Sequence, residues 1–168
     1  TSLFNVSDKN ITVIENGIPI PKKKKEFTQD KERKQKIAII GRLDPHKGHD
    51  DFLMALSLIS KDLLKKISVE FIGGYKEKDF KRVSKLIEDF GLMDVVKIRG
   101  YVDLSTSEII LSLDLVVMAT KDFEGFGLTI IEALHSGVPV IATRVGIVPE
   151  LFSDEDVMSV EPLDSNSM

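Results

Sequence analysis

Residues 115–143 read LVVMATKDFEGFGLTIIEALHSGVPVIAT. The stretch opens on a short apolar run, Leu115 to Met118, crosses a glycine-bearing loop, and enters a largely apolar segment from Leu128 to Ser136. Gly137 closes that segment as a C-cap and Pro139 prevents its continuation. A second apolar run, Val138 to Ala142, follows at once. Strand, loop, helix and strand in so short a span make a crossover unit joining two parallel strands.

Working outward, the same alternation fills the chain from Ile37 onward. Further strands are predicted at Ile37 to Ile40, Val69 to Ile72 and Val95 to Ile98, with a weaker one at Val157 to Val160. Their continuous apolar character indicates burial on both faces. Asp50 to Ile59 sets Phe52, Leu53, Leu56 and Ile59 on one helical stripe, and Phe80 to Phe90 does the same with Val83, Leu86, Ile87 and Phe90. Ser105 to Leu113 supplies another, shorter helix. The fold class is α/β, a doubly wound parallel sheet of Rossmann-like type. Right-handed crossovers make 3-2-1-4-5-6 the most economical strand order.

The first 36 residues differ. Ile11 to Ile14 has the character of a strand and Asn16-Gly17 that of a turn, whereas Pro19 to Lys36 is polar and basic. Residues 1–36 are therefore expected to be an interdomain segment and linker, and residues 37–168 a single domain. The run Lys22 to Lys25 is read as a solvated loop rather than a lipid or phosphate site. The chain starts at Thr1 and stops at Met168, and the expectation is a fragment of a longer protein.

Composition narrows the classes. The chain has 168 residues, 23 basic against 27 acidic, and a net charge of -4, which gives no general attraction to nucleic acid. No apolar run approaches the roughly 20 residues of a membrane helix, and the expected location is cytoplasmic, with a peripheral position at the inner face of the membrane as a variant. No cysteine is present, so disulfides and thiolate metal sites are excluded. No His or Asp cluster has metal-ligand spacing, and no cofactor is expected. His46, His49 and His135 are expected to be loop or helix-surface residues.

In open parallel sheets ligands bind beyond the C-terminal ends of the strands. After the first strand comes GRLDPHKG, Gly41 to Gly48; after the second, Gly73-Gly74; after the fourth, Lys121 to Ala133. Arg42 directly follows a strand and Lys47 precedes a helix, so both can converge on an anion such as a diphosphate; taken alone, the pair reads equally as surface charge on a loop. Gly125, Phe126 and Gly127 lead into a helix whose first amides lack partners and carry partial positive charge, which suits phosphate. Glu124 and Glu132 are separated by seven residues, one ahead of the helix and one within it. An unpaired carboxylate among Leu128, Ile130, Ile131, Ala133 and Leu134 is costly, so Glu132 needs a partner. Ribose hydroxyls serve; so does a backbone group or Arg144. Glu124 either accepts from sugar hydroxyls or is solvated.

These segments resemble the retaining family 4 glycosyltransferases, which have the two-domain GT-B fold. GRLDPHKG is similar to the family's GR-x-x-x-x-KG segment, and EGFGLTIIEALHSGVPVIAT to its paired-Glu motif and the continuation of that motif. ITVIENGI is similar to the segment ending in Asn-Gly ahead of the C-terminal domain. The resemblance runs from about Ile11 to Val160 and implies the C-terminal, donor-binding half. It implies that Arg42 and Lys47 bind the donor diphosphate, with amides of Phe126, Gly127, Leu128 and Thr129 assisting. Glu132 would hold the ribose and Glu124 the transferred sugar, making Glu124, Arg42 and Lys47 the residues at the reacting end. Val102, in the loop Gly100 to Asp103, would touch the base, and Gly73 would keep that pocket open.

The resemblance further implies transfer from a UDP-, GDP- or ADP-sugar with retention of configuration, without a metal, to a glycan or glycolipid acceptor. Losing one phosphate-binding cation would cost about 2 to 5 kcal/mol of transition-state stabilisation. The family's N-terminal domain, with the acceptor site and a His near the reacting sugar, has no counterpart here, so the chain alone is expected to bind donor and transfer nothing. The competing readings are a GT-B nucleotide-sugar epimerase or phosphorylase, and a non-catalytic, flavodoxin-like nucleotide-binding or regulatory module.

Overall fold

The computed structural model describes Thr12, Ile14, Asn16 to Ile18, Lys23 to Glu26, Asp30 and Glu32 to Met168. The strand expected at residues 11–14 and the start of the lysine run at Lys22 fall wholly or partly outside these residues.

Among the described residues six parallel strands form one sheet: β1 (Gln35–Ile40), β2 (Ile67–Ile72), β3 (Val96–Gly100), β4 (Leu115–Met118), β5 (Val140–Thr143) and β6 (Met158–Val160). Their order is β3-β2-β1-β4-β5-β6, as expected from the alternation of apolar runs and helices. β1 is the hinge of the topology. It pairs with β2 along its whole length, Gln35 opposite Ile67 through Ile40 opposite Ile72, and with β4 at Ile37 and Ala38.

The helices among the described residues are α1 (His49–Ser57), α2 (Lys61–Leu64), α3 (Glu77–Asp89), α4 (Thr106–Leu111), α5 (Leu128–His135) and α6 (Val148–Leu151), with a 3-10 turn at Pro45–Lys47. Successive strand residues point to opposite faces, and the two cores follow that alternation. Ala38, Val116, Met118, Val140 and Ala142 pack with Ile109, Ile110 and Leu113 of α4 and its end, and with Ile130 and Ala133 of α5. Ile39, Val69, Phe71, Val117 and Ala119 pack with Phe52, Leu53 and Leu56 of α1 and Val83 and Ile87 of α3.

Several boundaries differ from the expected ones for local reasons. α3 starts at Glu77 rather than Phe80, because Glu77 and Asp79 place negative charge in the first turn, where the helix dipole favours it. α4 starts one residue after Ser105, whose hydroxyl and the Glu108 carboxylate form a reciprocal capping box. β5 starts at Val140 rather than Val138, immediately after Pro139, which has no N–H for the ladder. His49 corrects an expectation outright: it is fully buried at the start of α1, its ring edge-on to Phe71 at 4.7 Å, and is not a surface residue.

Below the sheet, Asp114 gathers the segment ahead of β1. Arg33 donates two hydrogen bonds to its carboxylate at 2.6 Å, the Lys36 N–H donates a third at 2.8 Å, and Lys25 Nζ stands 3.4 Å away. Arg33 first, with the Lys36 amide and Lys25 adding to it, outweighs burial and holds this carboxyl well below the usual range. Lys25 also donates its backbone N–H to Ser136 and its ammonium to the Leu111 carbonyl.

Candidate functional site

At the C-terminal ends of β1 and β4, where the strand order reverses, a cavity of about 460 Å³ opens. Its floor is Ile39, Ile40, Val117 and Met118, and its wall is Lys47, Thr120 and the run Glu124 to Thr129. Two loops deliver these groups. The first, Gly41 to Gly48, folds back through the 3-10 turn, and Gly48 ends that turn with φ 67°. A Cβ on Gly48 would meet the Ala119 carbonyl oxygen at 1.8 Å, so only glycine lets the turn lie against the end of β4.

The second loop, Lys121 to Gly127, ends on Gly127 at φ 69°, the N-cap of α5. Leu128 and Thr129 line the cavity, and their amides lie in the first helical turn, where no helical acceptor exists. Lys47 Nζ donates to Glu124 Oε2 at 2.9 Å, and the Thr120 hydroxyl lies 3.4 Å from the same oxygen. Thr120 itself is buried, its carbonyl accepting from the Thr143 hydroxyl at 2.6 Å, which joins the ends of β4 and β5 beneath the carboxylate.

Glu132 lies one turn further along α5. Its side chain has no hydrogen bond or ion pair among the described residues, and burial pushes its pKa up. Arg144, the alternative partner, is engaged elsewhere: it binds Asp154 at 2.6 Å and lies 3.7 Å from Glu161.

The other expected residues stand apart from this cavity. Arg42 has an 81% exposed side chain, with one loose ion pair to Asp44 at 3.6 Å. It overhangs a neighbouring hollow of about 300 Å³ with Pro45, Gly74, Tyr75 and Lys76. Gly73, at φ 147°, lies against β1: a Cβ there would meet the Gly41 carbonyl oxygen at 2.1 Å, so it holds the ends of β1 and β2 together. Val102 is half-buried and packs on the core under α4, as does Ile40. Thus Lys47, Glu124, Phe126, Gly127, Leu128 and Thr129 come together, while Arg42, Glu132, Val102 and Gly73 do not line the same cavity.

Three residues were missed from sequence. Thr120 supports Glu124, and its signal was a polar residue closing an apolar strand. Asn16 also lines the cavity; its Asn-Gly pair marks a turn and the end of the segment ahead of the domain, and neither reading points to the cavity. Lys121 is a third cation next to the site, but it binds Asp50 at 2.9 Å and Asp51 at 3.2 Å. Burial alone would lower its pKa; the two aspartates outweigh burial and raise it. Among the described residues no group of three or more His, Asp or Glu side chains is arranged to hold a metal ion, and no helix is long and apolar enough to cross a membrane.

A parallel sheet with a cavity at its switch point, a lysine and a helix N-terminus at one wall, defines the class of nucleotide-binding α/β domains. Within that class, the family model "Glycosyl transferases group 1" matches residues 21–166, and the chain belongs to this family. The chain is 31% identical over 132 residues to the UDP-N-acetylglucosamine--peptide N-acetylglucosaminyltransferase GtfA subunit of Streptococcus gordonii, 77% of this chain and 25% of that protein. It is 35% identical over 108 residues to a poly(glycerol-phosphate) alpha-glucosyltransferase of Bacillus subtilis, 64% of this chain and 15% of that protein. The chain thus spans a quarter or less of these two relatives.

Solved structures agree. A Staphylococcus aureus TarM mutant in complex with Fondaparinux, alpha-GlcNAc-glycerol and UDP superposes with a TM-score of 0.75 at 25% identity, over 98% of this chain and 32% of that one. The C-terminal domain of a group 1 family glycosyl transferase, LpcC, from Francisella tularensis gives 0.67 at 31% identity, over 82% of this chain and 73% of that one. The doubly wound, Rossmann-like half of a GT-B glycosyltransferase is the fold observed.

Proposed function

We propose that this chain binds the nucleotide-sugar donor of a retaining family 4 hexosyltransferase. The observation that carries the reading is the Lys47–Glu124 pair set beside the first-turn amides of α5 in one cavity at the sheet's switch point. Lys47 and those amides would receive the diphosphate, and Arg42, whose side chain is almost free in solvent, would swing over it. Glu132, a partly buried carboxylate without a partner among the described residues, is suited to accept from ribose hydroxyls. Glu124 would exchange Lys47 for the hydroxyls of the transferred sugar, and Val102 would meet the base.

Cations and helix amides at the leaving diphosphate would stabilise the charge that grows there as the glycosidic bond breaks. Uridine diphosphate is the first nucleotide to consider, because the Streptococcus gordonii relative is named for UDP-N-acetylglucosamine and the TarM mutant structure contains UDP. GDP- and ADP-sugars are the other candidates. Residues 1–36 are read as the interdomain segment, and a further α/β domain of the same protein would hold a glycan or glycolipid acceptor at the cytoplasmic face of a membrane. The chain alone would bind donor and transfer nothing.

Calorimetric titration of UDP, GDP and ADP into the chain, repeated with Arg42→Ala and Glu132→Ala, tests this. At least one nucleotide should bind, and both substitutions should weaken it; unchanged affinity in both would refute the site.

A further inference from the structure

Two neighbouring residues of the first loop reach the second loop in different ways. Lys47 pairs with the Glu124 carboxylate, whereas His46 takes hold of the three residues just before it. The His46 carbonyl accepts the Lys121 N–H at 3.0 Å. Its ring Nδ1 lies 2.6 Å from Asp122 Oδ1, and its Nε2 lies 3.1 Å from the Phe123 carbonyl oxygen.

Beyond these contacts, Asp122 and Phe123 make no hydrogen bond or ion pair among the described residues, and Phe123 is largely exposed. On the other flank, the Glu124 carbonyl accepts the Ile147 N–H at 3.1 Å. The backbone carrying Glu124 is therefore fastened from both sides. The ring is half-exposed, so it is not there to fill the core. Asp122 and Phe123 offer acceptor oxygens at both ring nitrogens, and the imidazole carries an N–H to donate to one of them in either tautomer. An alanine presents none; a glutamine retains one donor at the reach of Nε2.

We infer that His46 is a positioning residue: by clasping Asp122 and Phe123 it fixes where the Glu124 carboxylate stands, and so sets the preference of the cavity for a sugar nucleotide over the bare nucleotide. This rests on the donor reading of Glu124. His46 does not itself line the cavity, whose first-loop contribution is Lys47. The clasp differs from the Lys47 pair in kind, because it acts on the loop backbone and survives when a ligand draws Lys47 away.

The experiment is titration of UDP, UDP-glucose and UDP-N-acetylglucosamine into the unsubstituted chain, His46→Ala and His46→Gln, with amide exchange of residues 122–125 followed by NMR in the absence of ligand. In His46→Ala the affinity for the preferred UDP-sugar should fall about tenfold relative to that for UDP, the loss of one charge-assisted hydrogen bond. Exchange at residues 122–125 should accelerate, and His46→Gln should restore part of both. Equal losses for UDP and UDP-sugar, unchanged exchange in His46→Ala, or no preference for either UDP-sugar in the unsubstituted chain would overturn the inference. Failure of the unsubstituted chain to bind any of UDP, GDP and ADP would instead refute the donor reading beneath it.

Discussion

Lys47 and Glu124, 77 positions apart in sequence, meet at 2.9 Å where the two strand-end loops converge. The cation proposed for the diphosphate and the carboxylate proposed for the sugar thus neutralise each other. A donor must separate them, and each then finds a partner of its own on the ligand. The pair keeps both side chains at the cavity, and it competes with any ligand that engages only one of them.

That competition has a sign. Glu124→Gln removes the carboxylate and frees Lys47, so UDP affinity should rise severalfold, while the added affinity of a UDP-sugar should disappear. Lys47→Ala should weaken UDP by about ten- to a hundredfold, as expected for losing a charge-assisted phosphate contact. Calorimetry on the two variants reads both effects, and a fall in UDP affinity in Glu124→Gln would contradict the account.

Glu132 trades stability for binding. Its carboxylate is half-buried without a partner among the described residues, and burial raises its pKa, so the folded state is penalised while the group is charged. Glu132→Gln should therefore melt no lower than the unsubstituted chain at neutral pH and yet bind UDP several times more weakly. Thermal melts beside titrations decide this; a marked loss of Tm would mean that Glu132 has a structural partner.

His49 should make the domain acid-sensitive. Burial, opposed by Asp50 and Asp44, lowers its pKa from 6.5 to about 4. Between those values the unfolded chain holds a proton that the folded chain does not, so stability falls as pH drops, by about 3 kcal/mol over the window. Denaturant melts from pH 7 to 4 should show this slope, and His49→Leu should flatten it.

Asp114 acts lower on the pH scale. Its folded pKa is depressed, so its contribution is complete above the unfolded carboxyl value of about 3.9 and is lost as pH falls further. Asp114→Asn should cost about 2 kcal/mol at neutral pH, because Arg33 loses a charged acceptor. It should leave UDP affinity unchanged, since the cluster sits beneath the sheet; urea melts and titration together test the separation.

Much of this was legible in the chain. Six apolar runs alternating with helical stripes led to the parallel sheet and its order, because buried strands and amphipathic helices write their periods directly into residue type. Short elements did not: α2 and α6 have four residues each, too few for a stripe to repeat. At the site, the helix-leading glycines and the two glutamates marked α5 and its loop. Side-chain direction was the part that could not be read. Arg42 and Lys47 share one loop, yet the 3-10 turn between them sends one over the neighbouring hollow and the other into the cavity. His49 looked like any polar residue in a loop, but its burial depends on Phe71, brought close only by the pairing of β1 and β2.

The most direct test is an NMR titration of UDP into the isotopically labelled chain, following backbone amides. Shifts concentrated at Lys47, Glu124 and Gly127 to Thr129 are the predicted result. Binding that leaves these amides unmoved and perturbs another part of the surface would contradict the placement of the donor at the β1–β4 switch point.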